Sequence, residues 1–277
     1  MTGEQLRDRI AGSESVTLTS SLDHFSEVEI PSDAVSLETL SGVVEFSPAD
    51  QVVVVRSGTL LSDLNNELSQ AGHTIPHLFP PRCLLPDAPL HALVDYNLPH
   101  LLEAQCGAWR DWVLGMRVIL ADGTECKCGS KAVKNVAGYD VQKLFIGARA
   151  SLGVITELTL KTFPLRAMPS SVAEYGDVSA DGTVTIHRTL RNRFAALREE
   201  LGSRLICADS ETATLWGALA PNEGLSRIAD DWVIRAGCGR ANLGVFSAAQ
   251  SEFMVRAKQL FDPTHKLNSG AFGAESK

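Results

Sequence analysis

Three short stretches in the middle of the chain decide its architecture. Residues 107–115 read GAWRDWVLG, residues 133–140 read VKNVAGYD, and residues 151–155 read SLGVI. The first and the third each lead into an apolar, β-branched run, so we predict strands over Trp112 to Leu120 and over Val154 to Phe163. The stretch between them, with its central glycine, is predicted to be a loop.

The flanking residues extend this pattern in both directions. Asp122-Gly123 is a hairpin signal, and it predicts that Gly123 to Cys128 forms a strand antiparallel to the preceding one. Asp140 to Ile146 is predicted to be a short helix. Upstream, the four valines within Gln51 to Arg56 are typical of a strand buried on both faces. A helix with Thr59 as its N-cap should follow and end at Gly72.

The remaining elements are predicted from weaker patterns. We expect a helix over Thr2 to Ala11 and a strand over Ser15 to Thr19, partly alternating residues from Val35 to Phe46, and irregular structure in the proline-rich stretch from Pro76 to Pro89. After Pro164 the predicted elements are strands at Thr183–Ile186, Leu205–Ala208 and Trp232–Arg235, and a helix at Leu190–Leu201. A last helix, Ala248 to Leu260, has Phe253, Val255, Ala257 and Leu260 as candidate core positions.

Composition places the chain among ordinary globular proteins. Of its 277 residues, 44% are apolar and 21% are charged, and 33 acidic residues outnumber 25 basic ones. The basic residues are scattered, which argues against nucleic acid or an anionic membrane as the main partner. We find no apolar run long enough to span a membrane, and we expect a cytoplasmic location.

Cysteines and histidines give no pattern typical of a metal site. The six cysteines lack paired C-x-x-C spacing, so we expect reduced thiols and no metal. Cys126 and Cys128 alternate along a predicted strand, where packing is favoured over a metal or redox role. None of the seven histidines pairs with another on a predicted helix at the i, i+4 spacing of metal ligands, and each is interpreted as an ordinary or hydrogen-bonded side chain.

The three stretches quoted first, in that order and at similar distances, resemble the FAD-linked oxidases, and within them the glycolate oxidase E-subunit family. That family writes RDFVLG, KNVAGYD and GTLGV. The similarity extends to residues 41–48, to the block SGTLLSDLNNELSQAGHTIP, and to Phe261-Asp262-Pro263 with Asn268 and Gly270. It covers roughly two-thirds of the chain, and four motifs in one order make a chance match improbable.

The resemblance implies an α+β fold. A p-cresol methylhydroxylase-type FAD-binding domain, made of two α/β subdomains, would occupy residues 1–165. A short α+β cap domain would occupy residues 166–245, and a C-terminal segment, 246–277, would return to the first domain. The implied cofactor is FAD.

The resemblance also implies which residues contact FAD. The KNVAGYD loop fits a cofactor contact, because Gly138 lets backbone approach a ligand and the N–H groups near the following helix favour an anion. The alternative is a plain helix-capping loop. The implied cofactor-binding residues are Lys134, Asn135, Gly138, Tyr139, Asp140, Gly153, Val154, Ile155 and Asn268. Alternatively, Tyr139 is a buried aromatic, and Arg110 with Asp111 is a solvated pair.

Several positions depart from the family pattern. The loop after the first strand, where the family's glycines expose backbone N–H groups to the FAD diphosphate, reads LTSSLDHF at residues 18–25. Where the family writes TLGG followed by small residues, this chain reads APLHALVDYN at residues 88–97, without glycine. Ala150 stands in place of a glycine, and the cap is short. These changes weaken the expectation of tight FAD binding.

Two functions follow as expectations. The first is a FAD-dependent oxidoreductase, or a flavin-binding subunit of a glycolate oxidase-like complex, that oxidises a small 2-hydroxy acid. The alternative is a non-catalytic structural subunit that kept the fold but lost FAD binding. Expected partners are a larger FAD subunit and an iron–sulfur subunit. The sequence identifies no catalytic acid or base.

Overall fold

The computed structural model describes residues 1–19, 34–79, 87–131, 140–169, 174–175, 184–218, 232–236 and 248–268, with backbone alone at 175, 232–236 and 248–251. The helices are α1 (Gly3–Gly12), α2 (Leu61–Ser69), α3 (Leu90–Asp95), α4 (Glu103–Cys106), α5 (Trp109–Trp112), α6 (Gln142–Phe145), α7 (Phe194–Leu201) and α8 (Ala248–Phe261). The strands are β1 (Leu18–Thr19), β2 (Val35–Ser36), β3 (Val43–Ser47), β4 (Val52–Arg56), β5 (His73–Thr74), β6 (Val113–Ile119), β7 (Glu125–Gly129), β8 (Val154–Lys161), β9 (Phe163–Pro164), β10 (Glu174–Tyr175), β11 (Val184–Arg188), β12 (Leu205–Asp209), β13 (Thr214–Ala218) and β14 (Trp232–Ala236).

The first sheet is five-stranded and antiparallel, in the order β3-β4-β8-β6-β7. All four valines of β4 are buried, as expected of a strand with neighbours on both sides and packing on both faces. β6 and β7 form the hairpin predicted at Asp122-Gly123, and Gly123 takes the positive φ that the turn requires. β6 contains the end of the GAWRDWVLG stretch, and β8 begins within the SLGVI stretch.

The second sheet is also five-stranded and antiparallel, in the order β10-β12-β13-β11-β14. The predicted strands near Thr183, Leu205 and Trp232 are confirmed as β11, β12 and β14. β13 escaped prediction, because Gly217 interrupts its apolar pattern. A Cβ at Gly217 would lie 3.0 Å from a side-chain atom of Leu201 on α7, so the glycine allows α7 to pack closely on this sheet.

One apolar cluster joins the two sheets. It contains buried residues of the first sheet, such as Val53 and Leu158, together with Val184, Ile206 and Trp216 from the second. A separate cluster packs α1 and the parallel pair β1–β2 against Ile119 at the end of β6 and Val154 at the start of β8. The mixed α and β class is therefore confirmed, while the domain boundaries at 165 and 245 stay predictions.

The orientation of α8 differs from the sequence prediction. Phe253 and Leu260 were predicted to be core residues, but they are 61% and 83% exposed. The helix instead packs through Met254, Ala257 and Phe261, with Lys258 buried beside them. These positions follow the i, i+3/i+4, i+7 spacing of one helix face, whereas Phe253 and Leu260 lie outside that face.

Two further local differences concern helix starts. Thr59 does not cap α2, because its hydroxyl donates to the Arg56 carbonyl and accepts from the Gly42 N–H; Leu60 holds the N-cap position. α3 follows directly on the proline-rich stretch and was not predicted. All six of its residues are buried, His91 and Asp95 included, so the helix lacks the exposed polar face that reveals an amphipathic helix.

Candidate cofactor site

A tight turn at residues 147–151 connects α6 to β8 and organises the candidate site. Gly147, Arg149 and Ala150 all have positive φ, at 81°, 53° and 52°. Left-handed backbone costs a non-glycine residue on the order of 1–2 kcal/mol, so two such residues in succession must be held by the surrounding structure. Burial lowers the pKa of the Arg149 guanidinium to about 10, with Tyr96 opposing the shift.

Long-range hydrogen bonds supply that support. The Gly147 N–H donates to the Val94 carbonyl at 3.0 Å, and the Arg149 N–H donates to the Asp95 carbonyl at 2.9 Å. On its other side, the Asn268 amide nitrogen donates to the Arg149 carbonyl at 2.7 Å. The turn is thus fixed between α3 and the C-terminal segment.

Asn268 connects the turn to the first strand. Its Oδ1 accepts from the Leu18 N–H at 2.9 Å, and its own N–H donates to the Val16 carbonyl at 2.9 Å. The side-chain amide of Asn268, predicted to lie near the flavin, is therefore engaged with backbone on both sides. It brings together β1, which forms the start of the glycine-poor stretch 18–25, and the turn before β8.

A buried ion pair anchors this C-terminal segment. Lys258 Nζ contacts Asp262 Oδ2 at 3.0 Å and donates to the carbonyls of Leu267 and Ser151, and both charged side chains are at most 2% exposed. Burial alone would raise the pKa of Asp262, but bonds from the Leu267 and Lys266 N–H groups and from Lys258 outweigh it and lower the pKa. Among the described residues, Lys258 Nζ and both carboxylate oxygens of Asp262 have hydrogen-bond partners.

A second i, i+4 pair lies on α3, across the turn. His91 Nδ1 is 3.6 Å from Asp95 Oδ2, and the two side chains are 3% and 6% exposed. The His91 N–H donates to the Ser57 carbonyl, which fixes the helix against the end of β4. His91 stands within the segment where the family writes glycines, and its i, i+4 relation to Asp95 is a signal that the sequence interpretation missed.

Buried polar atoms near this turn lack hydrogen-bond partners. His91 Nε2 has none, and neither has Oε1 of Gln142, which is 5% exposed on α6, just before the turn. Leaving a buried polar atom without a partner costs about 1–3 kcal/mol, so such atoms indicate a polar ligand or water. The residues around the turn therefore fit a polar cofactor.

Gly153 is required by packing. A Cβ at this position would lie 2.5 Å from Val118 Cγ1 and 3.1 Å from Phe145 Cε1. Val154 and Ile155 are buried residues of β8, and the Ile155 carbonyl accepts from the Ser57 hydroxyl. A cofactor contact through the main chain of these three residues stays a prediction.

The loop assigned to the cofactor is only partly described. Lys134, Asn135, Gly138 and Tyr139 lie outside the described residues, as does most of residues 18–25. Asp140 is described: its carboxylate pairs with Lys143 at 2.7 Å, and that hydrogen bond lowers its pKa. Its cofactor role stays a prediction.

Arg110 and Asp111 do not form the solvated pair considered from the sequence. Arg110 donates to the Lys143 carbonyl, and Asp111 accepts from the Ala108 N–H. Each side chain therefore fixes local backbone next to the start of β6.

A cluster of aromatic and histidine rings packs between α3 and β6. His77 lies 5.1 Å from His100 and 5.2 Å from Trp109, and His100 lies 4.6 Å from Trp112, all measured between ring centroids. Burial lowers the pKa of His100 to about 4 and lowers that of His77 well below its ordinary value. The cluster is thus an apolar wall of neutral rings.

An ion pair connects the second sheet to α4, which lies next to the ring cluster in the sequence. Arg188 of β11 contacts Glu103 of α4, and the two side chains are 28% and 12% exposed. Within the described ranges, no three His, Cys, Asp or Glu side chains group in a way that could hold a metal ion. The described helices also include none long and apolar enough to cross a bilayer.

Comparison with known families finds a match within the first half of the chain. Residues 15–129 match the model of the FAD binding domain. The matched FAD-binding domain contains β1, α3, His91 and the β6–β7 hairpin, and the resemblance to FAD-linked oxidases drawn from the sequence is confirmed.

Similar curated proteins are oxidoreductases by name. Glycolate oxidase subunit GlcE of Escherichia coli (strain K12) is 35% identical over 127 residues, which cover 44% of this chain and 35% of that protein. D-lactate dehydrogenase of Anaerostipes hadrus is 29% identical over 178 residues, covering 64% and 36%. Glycolate oxidase subunit GlcD of Bacillus subtilis (strain 168) is 28% identical over 125 residues, covering 45% and 26%. The matches thus span between a quarter and about a third of each relative's length.

Proposed function

We propose that this chain is an FAD-dependent oxidoreductase or the flavin-binding subunit of a glycolate oxidase-like complex, acting on a small 2-hydroxy acid. The observation that carries the proposal is that separate segments of the chain meet at the turn of residues 147–151. The end of β1, the left-handed turn before β8 and Asn268 are joined by direct hydrogen bonds. Buried polar atoms without partners, on His91 and Gln142, lie on the elements next to that turn.

The substrate class comes from the relatives. GlcE and GlcD are named as glycolate oxidase subunits, and other relatives are named as D-lactate and D-2-hydroxyglutarate dehydrogenases. These names share one chemical unit, a hydroxyl group on the carbon next to a carboxylate. FAD, when bound, would supply the acceptor for the hydride that leaves this carbon.

The chain's own residues would hold and shield the cofactor. The Asn268 amide and the α3 carbonyls fix the turn, so the backbone there is ordered before any ligand binds. The neutral ring cluster of His77, His100, Trp109 and Trp112 keeps charge and water away from the interior beside α3. No described residue is assigned as a catalytic acid or base.

The expected partners are other subunits. Two relatives, from different organisms, are each named as a glycolate oxidase subunit, and the chain matches only part of each. We therefore propose a complex with a larger FAD subunit and an iron–sulfur subunit. Co-expression of the chain with such proteins from the same genome, followed by affinity purification on this chain, tests that assembly.

The visible absorbance spectrum of the purified protein, before and after incubation with FAD and removal of unbound cofactor, tests the proposal. Bound flavin bands, bleached by D-lactate, glycolate or D-2-hydroxyglutarate under anaerobic conditions, are expected. A protein that retains flavin but is bleached by none of these acids would remove the substrate assignment. A protein that never retains flavin would remove the proposal itself.

A non-catalytic structural subunit is the second candidate. The absence of glycine from residues 18–25 favours it, because side chains there replace bare backbone around a diphosphate. A colourless protein that still purifies with a complete flavoprotein would establish this role.

A further inference from the structure

Among the described buried histidines around the first sheet, His77 and His91 each have one ring nitrogen without a hydrogen-bond partner, and they differ in what lies at the other nitrogen: the Leu98 carbonyl for His77 and the Asp95 carboxylate for His91. His100 uses both ring nitrogens, one toward the Gly107 carbonyl and one toward the Leu102 N–H. His73 bonds to Thr162. His91 has Asp95 near one nitrogen, while its Nε2 is buried with no partner. A residue kept only for packing would not need this nitrogen, since an apolar side chain would avoid its desolvation cost.

The position of Asp95 defines what Nε2 can do. A carboxylate beside Nδ1 orients the ring, so that Nε2 is the nitrogen left for a ligand. When both ring nitrogens carry a proton, Nε2 is a charged donor. Between a carboxylate on one side and an anion on the other, the imidazolium would be balanced in charge, which makes an anionic oxygen the best-matched ligand.

FAD contains one strongly anionic group, its diphosphate. The loop at residues 18–25 lacks the glycines that let backbone approach such a group closely, so a donor from another element of this chain would compensate for them. α3 is held against the turn at 147–151 by two backbone hydrogen bonds, and the loop begins beside the same turn through Leu18 and Asn268. His91 is thus on an element that adjoins the start of that loop.

We propose that His91 binds a phosphate oxygen of the FAD diphosphate through Nε2, with Asp95 orienting the ring from the opposite nitrogen. The contact is particular to this chain, because the resembled family writes glycine in this segment. The inference rests on the proposed function, since it assumes that FAD is the ligand.

Calorimetric titration of the purified chain with ADP, adenosine and FAD tests the contact without depending on turnover. In His91→Leu, affinity for ADP and FAD should fall by about tenfold or more, the usual cost of losing a hydrogen bond to a charged group, while affinity for adenosine stays unchanged. His91→Gln keeps an amide donor and should lose less. His73→Gln, a buried histidine with its own partner, is the matched control and should bind all three ligands as the wild type does.

Each result decides between the two proposals. If the wild type binds neither FAD nor ADP, both the proposed function and this contact are wrong. If the wild type binds FAD and His91→Leu binds ADP and FAD equally well, the function stands and the contact is wrong. Equal losses for adenosine and ADP would also overturn it. Should His91→Leu fail to fold, the ¹⁵N resonance of His91 Nε2 in the wild type must move toward the protonated form when ADP is added; an unmoved resonance contradicts the contact.

Discussion

Two buried i, i+4 pairs flank the turn at residues 147–151, and they differ in one respect. Lys258 and Asp262 on the C-terminal side are hydrogen-bonded to each other and to surrounding backbone, including the Ser151 carbonyl. His91 and Asp95 on the α3 side are equally buried, but His91 Nε2 has no partner. The first pair completes its bonding within the protein, while the second leaves one atom for a ligand.

The difference indicates separate roles for the two pairs: one stabilises the fold, and the other is available to bind a ligand. Burying charge is costly, and it is tolerated where every polar atom is paired. The Lys258 pair meets that condition, so it is expected to contribute to folding and not to recognition. The His91 pair does not meet it, so its cost is expected to be recovered when a ligand binds.

Breaking the closed pair should have the largest effect on stability. Lys258→Met leaves Asp262 buried without its cation and removes the bonds to Ser151 and Leu267, so the free energy of unfolding should fall by about 3–5 kcal/mol. Urea denaturation measures this. Arg256→Met on the same helix is the matched control, because Arg256 and Glu252 form an exposed pair, 74% and 64% exposed, and exposed pairs contribute about 1 kcal/mol at most. Equal losses in the two variants would show that the Lys258 pair does not anchor the segment.

The second effect is a pH dependence of the free energy of unfolding. It comes from His100, whose two ring nitrogens are both hydrogen-bonded. Burial lowers the pKa of His100 to about 4, from an ordinary value of 6.5. The unfolded chain therefore binds the proton more readily, and the stability contributed by neutral His100 is present above pH 6.5 and is lost as the pH falls toward 4. Over that range the wild type should lose on the order of 3 kcal/mol more than His100→Gln. Parallel pH curves for the two proteins would contradict a buried, neutral His100.

A smaller effect on stability tests Gly153, which follows the turn at residues 147–151. Gly153→Ala places a methyl group 2.5 Å from Val118 Cγ1, so it should cost about 2 kcal/mol through overpacking. In a Val118→Ala background the same change should cost clearly less, which a double-mutant cycle measures. Gly3→Ala, where nothing lies within 4 Å, is the control and should be neutral or slightly stabilising. An undiminished cost in the Val118→Ala background would place the reason for Gly153 elsewhere, such as a cofactor.

The sequence predicts the parts of this molecule whose periodicity is undisturbed. The four valines of β4, the β6–β7 hairpin and β8 follow directly from β-branched runs and one Asp-Gly turn. The face of α8 could not be found in this way, because a buried lysine pairs with Asp262 while Phe253 and Leu260 point outward. α3 was missed because a short helix buried all round has no polar face.

The site was predicted by resemblance more than by pattern. Asn268 was named, and the structure places it where β1 meets the turn, although its amide is engaged with backbone. His91 and Asp95 were missed, since one histidine and one aspartate in an apolar run signal nothing until their helix is known to be buried. Ala150 was noted only as standing in place of a family glycine, and Arg149 gave no signal, because the left-handed backbone of the turn is held by tertiary hydrogen bonds.

The central claim is that FAD binds at the turn between the two pairs. Hydrogen–deuterium exchange of the purified chain, with and without saturating FAD, tests this directly. We predict slower exchange at Gly147 and Arg149, whose N–H groups bond to α3, and at Leu18 beside Asn268, with unchanged exchange in β13 of the second sheet. Tight FAD binding that leaves the turn and Leu18 unchanged while protecting other segments would contradict the assignment of the site.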